Sequence, residues 1–366
     1  MFNKGLWRHF DFWLLGAVLF LSIFGVVMIR SAIAGNVSLA GYDKKQAYFL
    51  IAGIVLIFVL TVLDYRIWKS FTKILYAVTI IFLLFILAVG SSNFGAQRWL
   101  NIGSVAVQPA ELAKISIILV LADFFEKTNK DERNIKWLAK SLALVAGVVI
   151  WILLEPNLSN SILILVLWFS MVWICGIPVK YILGFGASAI ALFAAAFPLL
   201  QTYQQQRILN FIFPDPNATQ GNIYNVQQAI ISIGSGGLFG QGYGHGTQVQ
   251  LRFLQVRQTD YIFSALANEF GFVGTIVILL LLIFVIFRCI RAARQATDVY
   301  GSMIAYSFAT LIFFQTIVNV GVNLNVIPVT GLTLPFISYG GTSLVSLLIG
   351  IGFVESVVAR RKLTEK

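Results

Sequence analysis

The sequence predicts an all-α polytopic membrane protein with ten transmembrane helices. Composition is the first reason: hydrophobic residues make up 58% of the 366 and charged residues only 11%, where soluble globular domains hold about 45–50% and about 25%. The second is the length of the apolar stretches, which reach the ~18 residues a helix needs to cross a bilayer. The third is their pattern, which lacks the period-two alternation of an outer-membrane barrel. A soluble enzyme, a disordered tail and a fibrous protein are excluded. The net charge of +11 then reflects cytoplasmic loops rather than nucleic acid. Two Cys and two His leave little for a disulfide framework or a zinc site.

The spans are expected near 12–30, 47–63, 74–90, 110–125, 138–154, 160–176, 181–200, 260–287, 302–322 and 343–358. Lys4 to Arg8 ahead of the first span imitate a signal peptide, and Ala32-Ile33-Ala34 a cleavage site. The run from Phe12 to Ile29 exceeds the ~7–15 apolar residues of a signal peptide, so it reads as an uncleaved helix. Pro109 suits the first turn of the fourth span. Thr259 suits the N-cap of the eighth, which puts Asp260 in its first turn. Orientation follows from the 26 Lys and Arg residues: with both termini in the cytoplasm, 18 lie inside and seven outside, and Lys114 falls within a span. Cys175 and Cys289 then lie near the reducing side, where no structural disulfide is expected.

Between the seventh and eighth spans, residues 201–259 form a large extracytoplasmic loop, far longer than an ordinary connection. It carries Arg207, Pro214-Asp215-Pro216, an amphipathic stretch from Tyr224 to Ile233 and a glycine-rich run from Gly234 to Gly246. Few charges and many Gln and aromatic residues predict a loop folded against the bundle. With no linker or repeat, residues 1–366 read as one transmembrane domain.

Acids are scarce in the outer half: Asp43, Glu111, Glu155, Asp215 and Asp260, with Glu269 deeper. Ionisable groups in a bilayer are functional candidates by default. In VQPAELAK, Glu111 and Lys114 are three apart and can pair on one helix face, as a structural ion pair or as part of a site. Arg98, in GAQRWLNIG, lies near the same surface, and an Arg and a Lys facing one cavity suit an anionic phosphate group. In RQTDYIFSALANEFG, Asp260, Ser264 and Asn268 form a polar stripe at four-residue spacing. Asp260 reads either as a capping carboxylate at a helix N-terminus or as a general base. The run IGSGGLFGQGYGHG has no strand–turn–helix context, so it is not a dinucleotide fingerprint. Close backbone packing explains it better than phosphate cradling. His245 reads as a loop hydrogen-bonder, and His9 falls on the opposite side, so the two cannot share a metal. The last outer loop, 323–342, is uncharged and holds Pro328, Pro335 and SYGGTS from Ser338. Its non-helical backbone should line protein or a wet cavity.

The chain resembles the SEDS family (shape, elongation, division and sporulation), RodA more than FtsW. The resemblance covers nearly the whole chain. It is carried by GAQRWL from Gly95, QPAELAK from Gln108, EPNLSNS from Glu155, QQQR ending at Arg207, IGSGGLFGQGYGHGTQ from Ile233, TDYIF from Thr259, NEFG from Asn268 and PFISYGGTS from Pro335. It implies a multi-pass protein of the bacterial cytoplasmic membrane that polymerises lipid II into peptidoglycan strands during cell elongation. The implied partners are a class B penicillin-binding protein, the elongation machinery, lipid II and the undecaprenyl-pyrophosphate-linked glycan, with no nucleic acid.

In the implied reaction Asp260 accepts the proton of an acceptor sugar hydroxyl as it attacks the donor's anomeric carbon. Arg98, Lys114 and Arg207 stand near the departing pyrophosphate, and Glu111 and Glu269 join them as substrate-binding residues. A divalent cation, Mg or Mn, can bridge a pyrophosphate, but the sequence holds no dedicated metal cage and implies no other cofactor. Three polar positions differ from the family pattern: Asn157, Gln258 and Asn268. Asn157 and Asn268 are expected to project into the same outer cavity. A lipid II flippase and a non-catalytic scaffold for a penicillin-binding protein are the alternative functions.

Overall fold

The computed structural model describes residues 8–89, 91–93, 96–102, 105–128, 133–181, 184–186, 188, 195, 197–214 and 221–361. The bundle opens with α1 (Phe12–Ala32), α2 (Tyr42–Val62) and α3 (Thr72–Val89). Asp11 caps α1, its Oδ1 accepting from the Leu14 amide at 3.1 Å. A small antiparallel sheet follows, built from β1 (Ser91–Asn93), β2 (Ala96–Ile102) and β3 (Val105–Val107). Ser91 faces Trp99 and Leu100 faces Val107. The expectation of an all-α chain therefore needs correction: β1 and β3 have three residues each and β2, with seven, does not alternate apolar with polar, so only the pairing reveals them.

Next come α4 (Pro109–Lys127), α5 (Ile135–Leu154) and α6 (Leu158–Ile174). Half of the expected seventh span, 181–200, lies outside the described residues, as does Asp215. The long loop holds α7 (Thr202–Ile212), α8 (Gly221–Gly236) and the single turn α9 (Thr247–Gln250), with α8 packed on the helix that follows. The chain ends with α10 (Ile262–Gln295), α11 (Val299–Asn323) and α12 (Gly341–Ala359). Among the described residues, seven helical stretches are long and apolar enough to cross a membrane. Two further helices fall short of that: α6 has 17 residues, and α4 carries Glu111, Lys114, Asp123, Glu126 and Lys127. The chain is a helical polytopic membrane protein.

The core gathers around α12, which is buried nearly all round, as a helix apolar on every face must be. Small residues let neighbours approach: Gly350 meets the Phe308 ring and Gly352 meets Ile57 and Leu60 of α2. One end of the bundle carries most of the ion pairs. Arg66 meets Asp298 at 2.9 Å, Lys69 meets Glu126 at 2.6 Å, and Lys127 meets Asp123 at 2.6 Å. Arg360 meets Asp64 at 3.3 Å, and Arg288 pairs with Asp11.

Helix α10 starts at Ile262, not 260, and runs to Gln295, not 287. It breaks at Gly271 (φ 67°, ψ −167°). The glycine-rich loop mends the break. Phe272 and Val273 amides donate to the Gly237 and Leu238 carbonyls at 2.9 and 3.0 Å. Gln241 and Gly242 amides donate to the Asn268 and Glu269 carbonyls at 3.0 and 2.9 Å. Backbone groups freed by a broken helix are thus paired within protein, as a membrane interior demands. The run packs backbone on backbone, and no side chain fits between: a Cβ on Gly240 would stand 2.1 Å from the Glu269 carbonyl oxygen. His245 Nδ1 bonds the Tyr243 carbonyl at 2.9 Å, the loop role expected of it.

Candidate active site

Asp260 lies ahead of α10, not in its first turn. Tyr261 is the N-cap residue, and the Thr259 hydroxyl donates to the Val256 carbonyl at 3.3 Å instead of capping. The cap comes from another helix. Asn323, at the end of α11, accepts from the Ser264 amide at 3.1 Å and the Ser264 hydroxyl at 2.6 Å, while its Nδ2 donates to the Asp260 carbonyl at 2.9 Å. Asn319 donates to the same carbonyl at 3.1 Å and to the Leu332 carbonyl at 2.9 Å.

The two preceding carbonyls are held as well. Ser338 Oγ donates to Thr259 at 2.8 Å and the Tyr339 amide to Gln258 at 2.8 Å. Three consecutive carbonyls are therefore pinned by the segment from α11 to α12, which fixes where the Asp260 side chain points. Gln46 of α2 clamps that segment from behind, donating to the Ser338 carbonyl and accepting from the Gly340 amide, each at 3.2 Å.

Asp260 opens onto a cavity of about 490 Å³. Glu111, Asn157, Asn160, Arg207, Lys45, Trp99, the loop residues Thr330–Thr333, Tyr339 and Gly340, and the start of α12 from Gly341 to Ser343 share its wall. The uncharged last loop thus lines the cavity, as expected of non-helical backbone here. Burial pushes the Asp260 carboxyl up to about 6, against the opposing pull of the Arg207 guanidinium. It remains an anion at neutral pH, held close to the range of a working base. Arg207 also lines two apolar grooves of about 280 and 250 Å³. One runs along α8 past Phe211 and Ile230, the other along α6 and α11 past Ile162 and Val318.

The expected site residues divide. Asp260, Glu111 and Arg207 come together on one cavity. Lys114 does not reach it: it is only 1% exposed and sits behind Glu111, paired with Oε2 at 2.7 Å, while Ser346 donates to the same oxygen at 3.1 Å. Arg98 belongs to β2, and its side chain lies outside the described residues. Glu269 is absent from the cavity wall. It is buried against α1, where the Ser31 hydroxyl donates to it. Asn157 lines the cavity as expected, but Asn268 does not: its Nδ2 donates to Ser235 Oγ of α8 at 2.7 Å. The stripe Asp260–Ser264–Asn268 is therefore packed against neighbouring helices beyond its first residue.

Lys45 and Asn160, both on the wall, were not singled out in the sequence. Lys45 is half of a Lys44-Lys45 pair that reads as an ordinary loop charge, and Asn160 is one polar residue among several at the start of α6. Asn160 Oδ1 is buried and without a hydrogen-bond partner. Among the described residues no three His, Cys, Asp or Glu side chains cluster as metal ligands.

The FtsW, RodA and SpoVE family model, described as "Cell cycle protein", matches residues 12–363. The chain is 33% identical to the peptidoglycan glycosyltransferase MrdB of Escherichia coli over 365 residues, 98% of this chain and 96% of that one. It is 31% identical to the stage V sporulation protein E of Bacillus subtilis over 357 residues, 95% of this chain and 96% of that one. Its fold matches a chain of a peptidoglycan synthase complex at a TM-score of 0.83, with 31% identity, over 96% of this chain and 98% of that chain. The rod shape determining protein RodA of Thermus thermophilus matches at 0.72, with 30% identity, over 97% and 98%. With the match running almost from end to end, the chain belongs to the SEDS family of FtsW, RodA and SpoVE proteins.

Proposed function

We propose that the chain is a peptidoglycan glycosyltransferase of the bacterial cytoplasmic membrane, polymerising lipid II at the outer face during cell elongation. Ten spans, both termini inside and an outward cavity belong to this reading. So does a penicillin-binding protein that crosslinks the new strand, in keeping with the likeness to a chain of a peptidoglycan synthase complex.

The observation that carries it is Asp260, a constrained carboxylate on a polar cavity that meets two apolar grooves at Arg207. A lipid-linked sugar needs that combination: a wet chamber for the disaccharide and apolar tracks for the polyprenyl chain. Asp260 takes the proton from the acceptor's 4-hydroxyl as its oxygen bonds to the donor's anomeric carbon. The bond from that carbon to the pyrophosphate breaks, and the electron pair leaves with the pyrophosphate. Arg207 stabilises the charge that develops there. The displacement needs one base and no covalent nucleophile. Glu111, fixed by Lys114 and Ser346, is an acceptor for sugar hydroxyls.

The test is polymerisation of lipid II by purified protein with its cognate penicillin-binding protein. The wild type forms glycan strands, and Asp260→Asn loses ~10²-fold or more. Equal strand synthesis by both would remove Asp260 as the base. No synthesis by either would leave the scaffold reading in its place.

A further inference from the structure

Glycan polymerisation brings two lipid-linked diphosphates to one cavity, and they meet different fates. The donor's leaves, gaining charge as its bond to carbon breaks. The acceptor's stays attached and keeps the same charge throughout. It also stands two sugar rings away from the hydroxyl that reacts. Two cations are expected, one beside the base and one further off. Among the described residues on the cavity wall, the two cationic side chains are Arg207 and Lys45.

They stand on different walls. Arg207, on α7, lies where the cavity meets both apolar grooves, and its charge acts on Asp260. Lys45 is on α2, and no residue of α2 lines either groove. Its ammonium lies 5.7 Å from the centre of the Tyr42 ring, which stacks on Tyr339 at 4.4 Å. Tyr339 in turn bonds the Gln258 carbonyl, so this aromatic wall is built onto the segment that holds the base. A lysine is a compact point charge with three donors, suited to a phosphate oxygen.

We propose that Lys45 seats the diphosphate of the acceptor substrate, while Arg207 serves the diphosphate that leaves. The inference rests on the glycosyltransferase reading above. Its consequence is kinetic. A contact with a group whose charge is constant binds ground state and transition state alike, so losing it raises KM and spares kcat. A contact with the developing charge lowers kcat.

Initial rates of lipid II polymerisation, measured across lipid II concentrations at equal folded protein, separate the two. Lys45→Gln raises the half-saturating concentration about 10-fold with kcat within about twofold, and Lys45→Arg restores most of the affinity. Arg207→Gln lowers kcat. Lys44→Gln, the same charge change at an exposed neighbour off the cavity wall, behaves as wild type. The proposal is overturned if Lys45→Gln saturates like wild type, if its loss lies in kcat alone, or if Lys44→Gln raises KM equally. In each of those outcomes the wild type still polymerises and the wider reading stands. A wild type that makes no strands removes both.

Discussion

At Asp260 two demands on one carboxyl oppose each other. Burial favours the neutral acid, while catalysis requires the anion. The folded group titrates at about 6, above its ordinary 3.8. Between those values the folded chain holds a proton that the unfolded chain has lost, so stability falls as pH rises from about 4 to about 6 and stays lowered above. Asp260→Asn removes that cost. The variant should be more stable than wild type at pH 7.5, by up to about 3 kcal/mol, with the advantage fading toward pH 4. Thermal melts in detergent at both pH values check this. Wild-type polymerisation should decline as pH falls through about 6, because protonated Asp260 accepts nothing. Lys114 makes the contrasting case. Lys114→Met strands the Glu111 carboxylate and should destabilise by ~3–5 kcal/mol, whereas adding Glu111→Gln recovers most of it. Equal melting temperatures for the single and double variants would contradict the buried pair. The sequence showed Glu111, Lys114 and Asp260 because charges are rare in and beside apolar spans, and Arg207 through the QQQR motif of the family resemblance. It did not show which faced the cavity: the spacing that pairs Glu111 with Lys114 is the same whichever of them points outward.

Among the elements, α10 carries the clearest difference between pattern and structure. Its apolar run predicted a plain span opening at Thr259. The start is set instead by Asn323, contributed by a different helix, and no local signal announces a cap supplied from so far along the chain. The glycine run was legible as close packing, because only backbone fits where several glycines alternate with bulky residues. Its partner, the break at Gly271, was not, since one glycine in an apolar helix reads the same whether the helix bends or continues. Gly240→Ala tests the docking. It places a Cβ 2.1 Å from the Glu269 carbonyl oxygen at a φ of +81°, so neither backbone nor neighbour can yield cheaply. We expect a loss of several kcal/mol, read as a lower melting temperature and faster amide exchange in the loop. Gly244→Ala, also at positive φ but with open space around it, should lose only about 1 kcal/mol.

Across the whole molecule, the ion pairs lie away from the cavity, save Glu111–Lys114 at its wall. The pairs at the end bearing Asp11, Asp64, Asp298 and Arg360 tie α1, α4, α10 and α12 to the turns between them. The cavity is walled by helix ends and hydrogen-bonded loops together. Helical spans were legible throughout because hydropathy is a local property repeated over many residues. The chamber they enclose was not, since it depends on which faces meet. Orientation rests on the excess of Lys and Arg on one side, and labelling tests it. Val37, 91% exposed between α1 and α2, is expected outside. Val37→Cys, in a background carrying Cys175→Ser and Cys289→Ala, should react with a membrane-impermeant maleimide in intact cells. Labelling only after lysis would invert the topology and turn Asp260 away from its substrate.

The splint across Gly271 also bears on biosynthesis. Residues 237–246 leave the ribosome before α10, so in the proposed outward orientation the loop that mends the helix is across the membrane when the broken helix arrives. At that moment four backbone groups, two amides and two carbonyls, meet partners in place instead of entering hydrocarbon bare, where each would cost several kcal/mol. A circular permutant with α10 made first would reverse that order. Its broken helix would have to wait in the bilayer for the loop, so insertion itself, rather than the stability of the finished bundle, would suffer.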